Sequence, residues 1–446
     1  MLARTSLAFA AILLATSTQA QVVPRVDLSG VRESVDRRLR EEMAEWYPRA
    51  VDRKRGGFHQ NLARDWAILP EDSRSVVYQC RMSWTAAAFA AYSKDDREEF
   101  ARYAHHGIEY LDGVMRDEPQ GGFHWIVGID GKLDPKLGDE KHVYGTAFVL
   151  YAASAVHEAT GDALALKVAR DAYRWLEDKA HDKEHGGYFE ALTREGKPIL
   201  TFADDDPISK RTDRLGVYYG YKSMNSHIHM LEALAAFSRI DKSPQVQLRL
   251  RETLDLVRDK IAVEPGALNL YLTRDWRPLP AHDSFGHDVE TAYLLVDAAA
   301  DAGVPDDRKT WKVARSLMDH ALDFGWDEVN GGFYDKGDVF AGKAYDTTKV
   351  WWTQAEGLNA LLLMHHKFGD QTDRYGKAFL KQWEFIRAHQ LDRELGGWFG
   401  EVTREGKLIG DGRKANPWKA NYHTGRAMMN VARTLDEIDK KAKSER

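Results

Sequence analysis

The residues able to do chemistry in this chain gather in short groups: Arg81 with Trp84; His142 and Tyr144; Asn225, His227 and His229; His287 and Glu290; Trp351, Trp352, Gln354 and Glu356; and Trp418, Tyr422, His423 and Arg426. Each group opens an apolar stretch, most of them rich in Ala. Imidazole is the side chain best matched to proton transfer near neutral pH, and His229, His287 and His423 lie at comparable points of three such stretches. His105, His106, His320, His365 and His366 lie instead on charged stretches or at distal ends. On a helix His227 and His229 point nearly opposite ways, and His229 is expected to face a pocket. His229/Glu232 and His287/Glu290 are i,i+3 pairs sharing a helix face. Each Glu is expected to orient and tune its His; joint metal ligation and a structural core bond are the competing readings. None of the defined zinc spacings occurs, so neither a metal nor a cofactor is expected. Indole faces suit the apolar faces of pyranose rings. By position Trp352 and Trp418 are the candidates, with Trp351 an alternative to Trp352. Glu356 and Arg426 are expected in the same pocket wall, a polar site within an apolar surround.

The elements that must carry these groups follow from an internal repeat. A Gly-Gly-aromatic signal recurs at Gly56, Gly121, Gly186, Gly331 and Gly396, and the one wide gap holds a degenerate copy near Leu268–Leu272. The copies read as β-hairpins, short alternating segments around Gly- or Asp-centred turns. Between them the spacing predicts two helices per repeat, at 31–47, 73–93, 95–116, 141–160, 162–180, 218–239, 244–262, 286–302, 306–323, 347–368, 371–389 and 420–440. Odd members are amphipathic and charged, as in Asp171–Glu177; even members, such as Tyr144–Ala155, are apolar on most sides and must be buried all round. Six buried helices alternating with six half-exposed ones predict an all-α fold, two concentric rings forming an (α/α)6 barrel with short β-hairpins in its connections. An open solenoid is the alternative. In a closed ring the N-terminal ends of the six inner helices meet at one mouth.

Composition bounds the function. The 446 residues are 43% hydrophobic and 30% charged with a formal net charge of −6, which argues against a nucleic-acid or anionic-membrane partner. Residues 1–20, with Arg4, an apolar stretch from Leu7 to Ala15 and Thr18-Gln19-Ala20, read as a secretory signal too short to span a bilayer. Residues 21–446 are expected to form a single soluble domain, exported to the periplasm, with no membrane partner, working as a monomer or homodimer. Cys80 is the only cysteine, so no intrachain disulfide can form, and its apolar setting predicts a buried, inert thiol.

The segments QCRMSW around Arg81, KHVYGTAF around Tyr144, NSHIHMLEA from Asn225, GHDVETAYLL from Gly286, WWTQAEGLNAL from Trp351 and WKANYHTGR from Trp418 together resemble the N-acylglucosamine 2-epimerase superfamily, and within it the cellobiose 2-epimerases. The resemblance implies an (α/α)6 barrel and a cofactor-free sugar 2-epimerase. His287 and His423 would be its acid/base pair, with His229, Arg81, Tyr144, Asn225, Glu290, Trp352 and Trp418 around a small-molecule sugar. Inverting C2 of an aldose needs one proton-transfer group on each side of a planar cis-enediolate, both with pKa values near the working pH, and fixed donors at O1, for which Arg81 with Tyr144 or Asn225 is suited. An aldose–ketose isomerase is the near alternative. An (α/α)6 glycoside hydrolase using Glu290, Glu356 or Asp288, and a non-catalytic sugar binder, are the more distant ones.

Overall fold

The structure, a computed structural model, describes residues 26–444 except 135, 203–209 and 340. The expected leader at 1–20 lies outside the described residues, as do Asp204, Asp205 and Asp206. Six amphipathic helices, α1 (Val31–Trp46), α3 (Arg97–Tyr110), α5 (Ala163–Trp175), α7 (Pro244–Leu256), α9 (Arg308–Phe324) and α11 (Arg374–Phe385), form an outer ring. Six others, α2 (Val76–Tyr92), α4 (Val143–Thr160), α6 (Met224–Ile240), α8 (Phe285–Asp301), α10 (Trp351–Phe368) and α12 (Tyr422–Ser444), form the inner one. Burial follows the two sequence patterns. In α5 only Ala165, Val168, Ala169, Ala172 and Trp175 are buried, one stripe at helical spacing, whereas α4 is buried continuously from Val143 to Ser154.

Each inner helix packs on the next, and α12 also contacts α2 and α1. A backbone bridge from Leu62 to Ala415 joins the first hairpin region to the last. The ring is therefore closed, an (α/α)6 barrel rather than an open solenoid.

Four starts differ from the periodicity for one physical reason. Helices expected from 73, 141, 218 and 347 begin at Val76, Val143, Met224 and Trp351, because Ser73–Ser75, Lys141–His142, Lys222–Ser223 and Lys349–Val350 pair as strands with the following hairpin. Four outer helices widen into a π turn before ending, at Leu111–Met115, Leu176–Ala180, Val257–Ile261 and Ile386–Gln390.

The hairpins lock the rings together through a repeated ionic device. The turn aspartates Asp117, Asp182, Asp327 and Asp392 receive buried lysines, Lys141, Lys222 and Lys349 from the strand before an inner helix and Lys414 from the irregular segment before α12, at 2.9, 3.1, 2.9 and 2.7 Å. Each also takes an arginine from a hairpin: Arg194, Arg274, Arg404 and Arg64. In the first unit Arg74 replaces the lysine, 2.6 Å from Asp52. Burial alone would raise these carboxyls, but the cations outweigh it and hold Asp52 and Asp117 down to about 2. The Gly-Gly pair that follows has a steric reason: a Cβ on Gly57 (φ 64°) would meet Gln79 Oε1 at 2.5 Å and the Tyr110 ring at 2.8 Å. The degenerate unit turns at Gly266, pairing Ala262–Val263 with Ala267–Leu268, and carries Asp283 bonded to His320 at 2.7 Å.

Candidate active site

Strand-to-helix junctions deliver the inner-helix starts to one end of the barrel, around a cavity of about 220 Å³. Arg81, Tyr144, Asn225, His229, His287, Glu290, Trp351, Trp352, Trp418 and His423 line it. Sequence reasoning named all ten.

The three histidines hang from three different inner helices, each fixed through Nδ1. His229 Nδ1 lies 2.6 Å from Glu232 Oε1, His423 Nδ1 lies 2.8 Å from Glu356 Oε1, and His287 Nδ1 lies 2.7 Å from Ser284 Oγ. Nε2 of each is left as the nitrogen available to the cavity. The Trp352 ring stands beside both His287 and His423, with centroid separations of 4.9 and 5.6 Å.

Burial pushes His229 and His287 down to about 3 and His423 well below the ordinary imidazole value. The acid/base pair was expected to have pKa values near the working pH; desolvation in a narrow apolar-walled cavity instead favours the neutral imidazoles, outweighing the nearby carboxylates.

His227, expected to face away, does so. It accepts a hydrogen bond from the Tyr188 N–H at 3.0 Å and bonds the Ser223 carbonyl at 2.7 Å. Gln79 and Gln354 occupy the same place in α2 and α10 and clasp Phe58 and Phe333 in the same way. His227 is a hairpin clasp.

Two expectations need revision. Glu290 does not pair with His287. The stronger attraction of a buried guanidinium turns it toward Arg426 at 2.5 Å, and it lies 3.6 Å from His423. Glu356 and Arg426 stand behind the wall rather than in it: Arg426 is sequestered by Glu232, Glu290 and Glu356 at 2.5–2.7 Å and by the Tyr422 hydroxyl. Burial raises Glu232 and Glu356 above the usual carboxylate range despite this cation.

At the other side Arg81 donates to the Trp418 carbonyl at 2.6 Å and to the Tyr144 hydroxyl at 3.2 Å, while its buried Nε–H has no protein partner. The Asn225 Oδ1 is likewise buried and unpartnered. Trp418 is 41% exposed and marks the mouth, its ring near Tyr144 and Trp125. Both Trp351 and Trp352 reach the cavity, but only Trp352 contacts the histidines through its ring.

Ser284 escaped sequence reasoning, and Tyr422 was grouped with His423 but given no role of its own. Ser284 occupies the N-cap of α8 yet makes no cap bond, its Oγ being given to His287 instead; a Ser three residues before a His at a helix start was the available signal. Tyr422 was visible as an aromatic beside His423, but its bonds to Glu232 at 2.9 Å join residues far apart in sequence.

Residues 56–427 match the family described as N-acylglucosamine 2-epimerase (GlcNAc 2-epimerase). The chain is 30% identical over 387 residues to a cellobiose 2-epimerase of Bacteroides fragilis, covering 85% of this chain and 93% of that one. It is 27% identical to a D-mannose isomerase of Marinomonas mediterranea, covering 89% and 96%. The solved structure of the cellobiose 2-epimerase from Spirochaeta thermophila superposes with a TM-score of 0.79 at 29% identity, over 92% of this chain and 97% of that one. The match runs through every segment that builds the cavity, and the chain belongs to the N-acylglucosamine 2-epimerase family.

Proposed function

We propose that this sugar 2-epimerase interconverts glucose- and mannose-configured reducing ends, with a cellobiose-type β-1,4-disaccharide as its substrate. The observation that carries the mechanism is the pair of imidazoles beside Trp352, held through Nδ1 by unlike partners. An Nδ1–H on His287 donates to Ser284 Oγ and leaves the Nε2 lone pair as a base. In this reading we place a proton on Glu356, whose carboxyl burial pushes up from its ordinary value against the opposing charge of Arg426; it donates to Nδ1 of His423 and sets that ring's own proton on Nε2 as the acid.

In the open-chain aldose, His287 Nε2 takes the C2 proton and the C2–H electron pair forms the C1–C2 double bond. The C1 carbonyl pair moves to O1, and Arg81, through its unpartnered Nε–H, stabilises the resulting oxyanion. His423 then delivers its Nε2 proton to the opposite face of C2 while the Glu356 proton passes to Nδ1 of His423, leaving a neutral ring and a carboxylate paired with Arg426, and the O1 pair re-forms the carbonyl. The reverse direction exchanges the two roles. The carbonyl itself is the electron sink. Tyr144, Asn225 and His229 hold the hydroxyls, and Trp418 at the mouth carries the second ring of a disaccharide.

The hydrolase reading loses support because Glu290 and Glu356 are committed to Arg426 and Asp288 is fully buried. The test is proton NMR of cellobiose, and separately of mannose, incubated with the protein in D2O. Deuterium at C2 with a mannose-configured reducing end is the expected result. A ketose product would assign the isomerase, and release of glucose from cellobiose would overturn the proposal.

The apolar start of the chain supports export to the periplasm with cleavage after Ala20. N-terminal sequencing of the protein from a periplasmic fraction should begin at Gln21; full-length protein confined to the cytoplasm would refute this.

A further inference from the structure

Behind the sugar-facing wall lies a second group of chemistry-bearing residues that the epimerisation does not use. His142, in the strand leading into α4, is 1% exposed, and neither ring nitrogen has a hydrogen-bond partner. Its Nδ1 faces two buried carboxylates, 3.9 Å from Glu190 Oε1 and 3.8 Å from Asp213 Oδ2. In each the other oxygen is already committed. Glu190 Oε2 accepts from the Ser226 hydroxyl, and Asp213 Oδ1 accepts the Leu215 and Val217 N–H groups at 2.8 and 3.0 Å. His142 Nδ1 and Glu190 Oε1 are thus buried without a partner, and Asp213 Oδ2 faces the same point.

Burial of this kind is costly without a cation. Among the described residues no Lys or Arg forms an ion pair with Glu190 or Asp213. Burial and the charge of Asp213 push Glu190 up to about 8, and burial also drives Asp213 up to about 6, the response of two carboxylates sharing a site with no cation paired to either; the charge of Arg214 reaches His142, adding to the burial that holds that ring down to about 3.

We propose that His142, Glu190 and Asp213 bind a divalent transition-metal cation, zinc or manganese. Two carboxylates and an imidazole suit these borderline ions. The open separations of 3.8–3.9 Å are a few tenths of an ångström wider than the roughly 3.4 Å edge of a tetrahedron with bonds of about 2.1 Å, so the three donors would draw together slightly on the ion. Two other buried His/carboxylate clusters do not have this form. In one, Asp283 and His320 close directly at 2.7 Å; in the other, Glu290, Glu356 and His423 are filled by Arg426. When Nδ1 ligates, the other nitrogen of His142 faces Glu140 at 3.9 Å, an outer carboxylate of the kind that orients a ligating imidazole. The three ligands are far apart in sequence, so no local motif announces them.

The ion has a positioning role. His142 sits two residues before Tyr144, and Glu190 bonds Ser226 beside Asn225, so the site joins two cavity-wall residues from behind. Asp213 ties in the irregular segment before α6. The Trp125 ring separates the site from the mouth, 4.8 Å from His142 and 6.2 Å from Trp418.

The test uses the whole protein purified without chelator. Elemental analysis should find about one equivalent of zinc or manganese per chain. After chelation and dialysis, calorimetric titration with Zn2+ or Mn2+ alone should show one site and a raised melting temperature. His142→Ala and Glu190→Gln should each weaken that binding by at least roughly tenfold, whereas His320→Ala should retain it. Glu190→Gln keeps the size of the side chain and an acceptor for Ser226, so it remains informative if His142→Ala fails to fold. Metal-free protein that shows no one-site binding with either ion overturns the proposal and leaves water as the content of the cluster. Binding unchanged in both ligand variants overturns it equally.

Discussion

Glu356 Oε1 lies 2.8 Å from Nδ1 of His423, and the same oxygen accepts from Arg426 at 2.6 Å. The carboxyl therefore sets which nitrogen of His423 carries the proton that reaches the cavity. Replacing it with an amide removes the exchangeable proton while keeping the shape. Glu356→Gln should lower kcat by about 10²-fold, within the range for loss of one proton-transfer partner, with KM little changed. Steady-state kinetics on cellobiose checks this, and equal losses in KM would show that the residue acts through packing instead.

His287 has a hydroxyl where His423 has a carboxyl, and that difference separates the base from the acid. Ser284→Ala removes the partner that fixes the His287 tautomer and should cost roughly tenfold in kcat without abolishing activity. His287→Asn should stop C2 exchange of the glucose-configured sugar in D2O while leaving sugar binding measurable by calorimetry. Exchange at C2 of cellobiose that continued in His287→Asn would assign that base elsewhere.

Trp418 and Trp352 should separate by substrate size. Trp418 is the exposed ring at the mouth, and Trp352 lies against the two histidines. Trp418→Ala should raise KM for a disaccharide by about tenfold, on the scale of one lost aromatic contact, and affect a monosaccharide less. Trp352→Ala should lower kcat for both. Equal effects of Trp418→Ala on mannose and cellobiose would place the second ring elsewhere.

Much of this was legible in the sequence because periodicity and repeat act locally. The outer and inner helices differ in apolar pattern, and the Gly-Gly-aromatic turns count the units. The cavity residues were legible because they open successive inner helices. What escaped depends on contacts between segments distant in sequence. The geometry of i,i+3 allowed Glu290 to meet His287, but Arg426, on another helix and bearing full charge, won that carboxylate. Arg426 and Glu356 share segments with true lining residues, and only the depth of the barrel shows that they stand behind the wall. The resemblance to a family supplied the acid/base pair, whereas spacing alone could not have chosen His287 and His423 over His229.

The buried Asp–Lys pairs should behave as all-or-none supports. Asp182 and Lys222 are both essentially inaccessible to solvent, so Asp182→Ala strands a buried ammonium. The expected loss is about 3–5 kcal/mol, read by chemical denaturation at pH 7. Because burial is outweighed by Arg274 and Lys222 and the folded carboxyl stays low, the contribution of Asp182 is present above the ordinary carboxylate pKa. It is lost as pH falls through the folded value. The gap between wild type and variant should therefore narrow only in strong acid; a gap unchanged at pH 2 would mean that the ion pair is not its source.

His227 acts with the same sign in a higher pH window. Burial holds it down to about 4, against an ordinary value of 6.5. Above pH 6.5 both folded and unfolded chains carry it neutral, and it imposes no penalty. Below 6.5 the unfolded chain takes up a proton that the folded chain refuses, so stability falls as pH drops toward 4. Glutamine already performs the same clasp at Gln79 and Gln354, accepting from one backbone N–H and donating to a carbonyl. His227→Gln should thus fold, keep its activity, and gain relative to wild type on acidification, by up to about 3 kcal/mol between pH 7.5 and 4. Paired denaturation curves at the two pH values measure that difference directly, and a constant difference would show that His227 is charged in the folded chain.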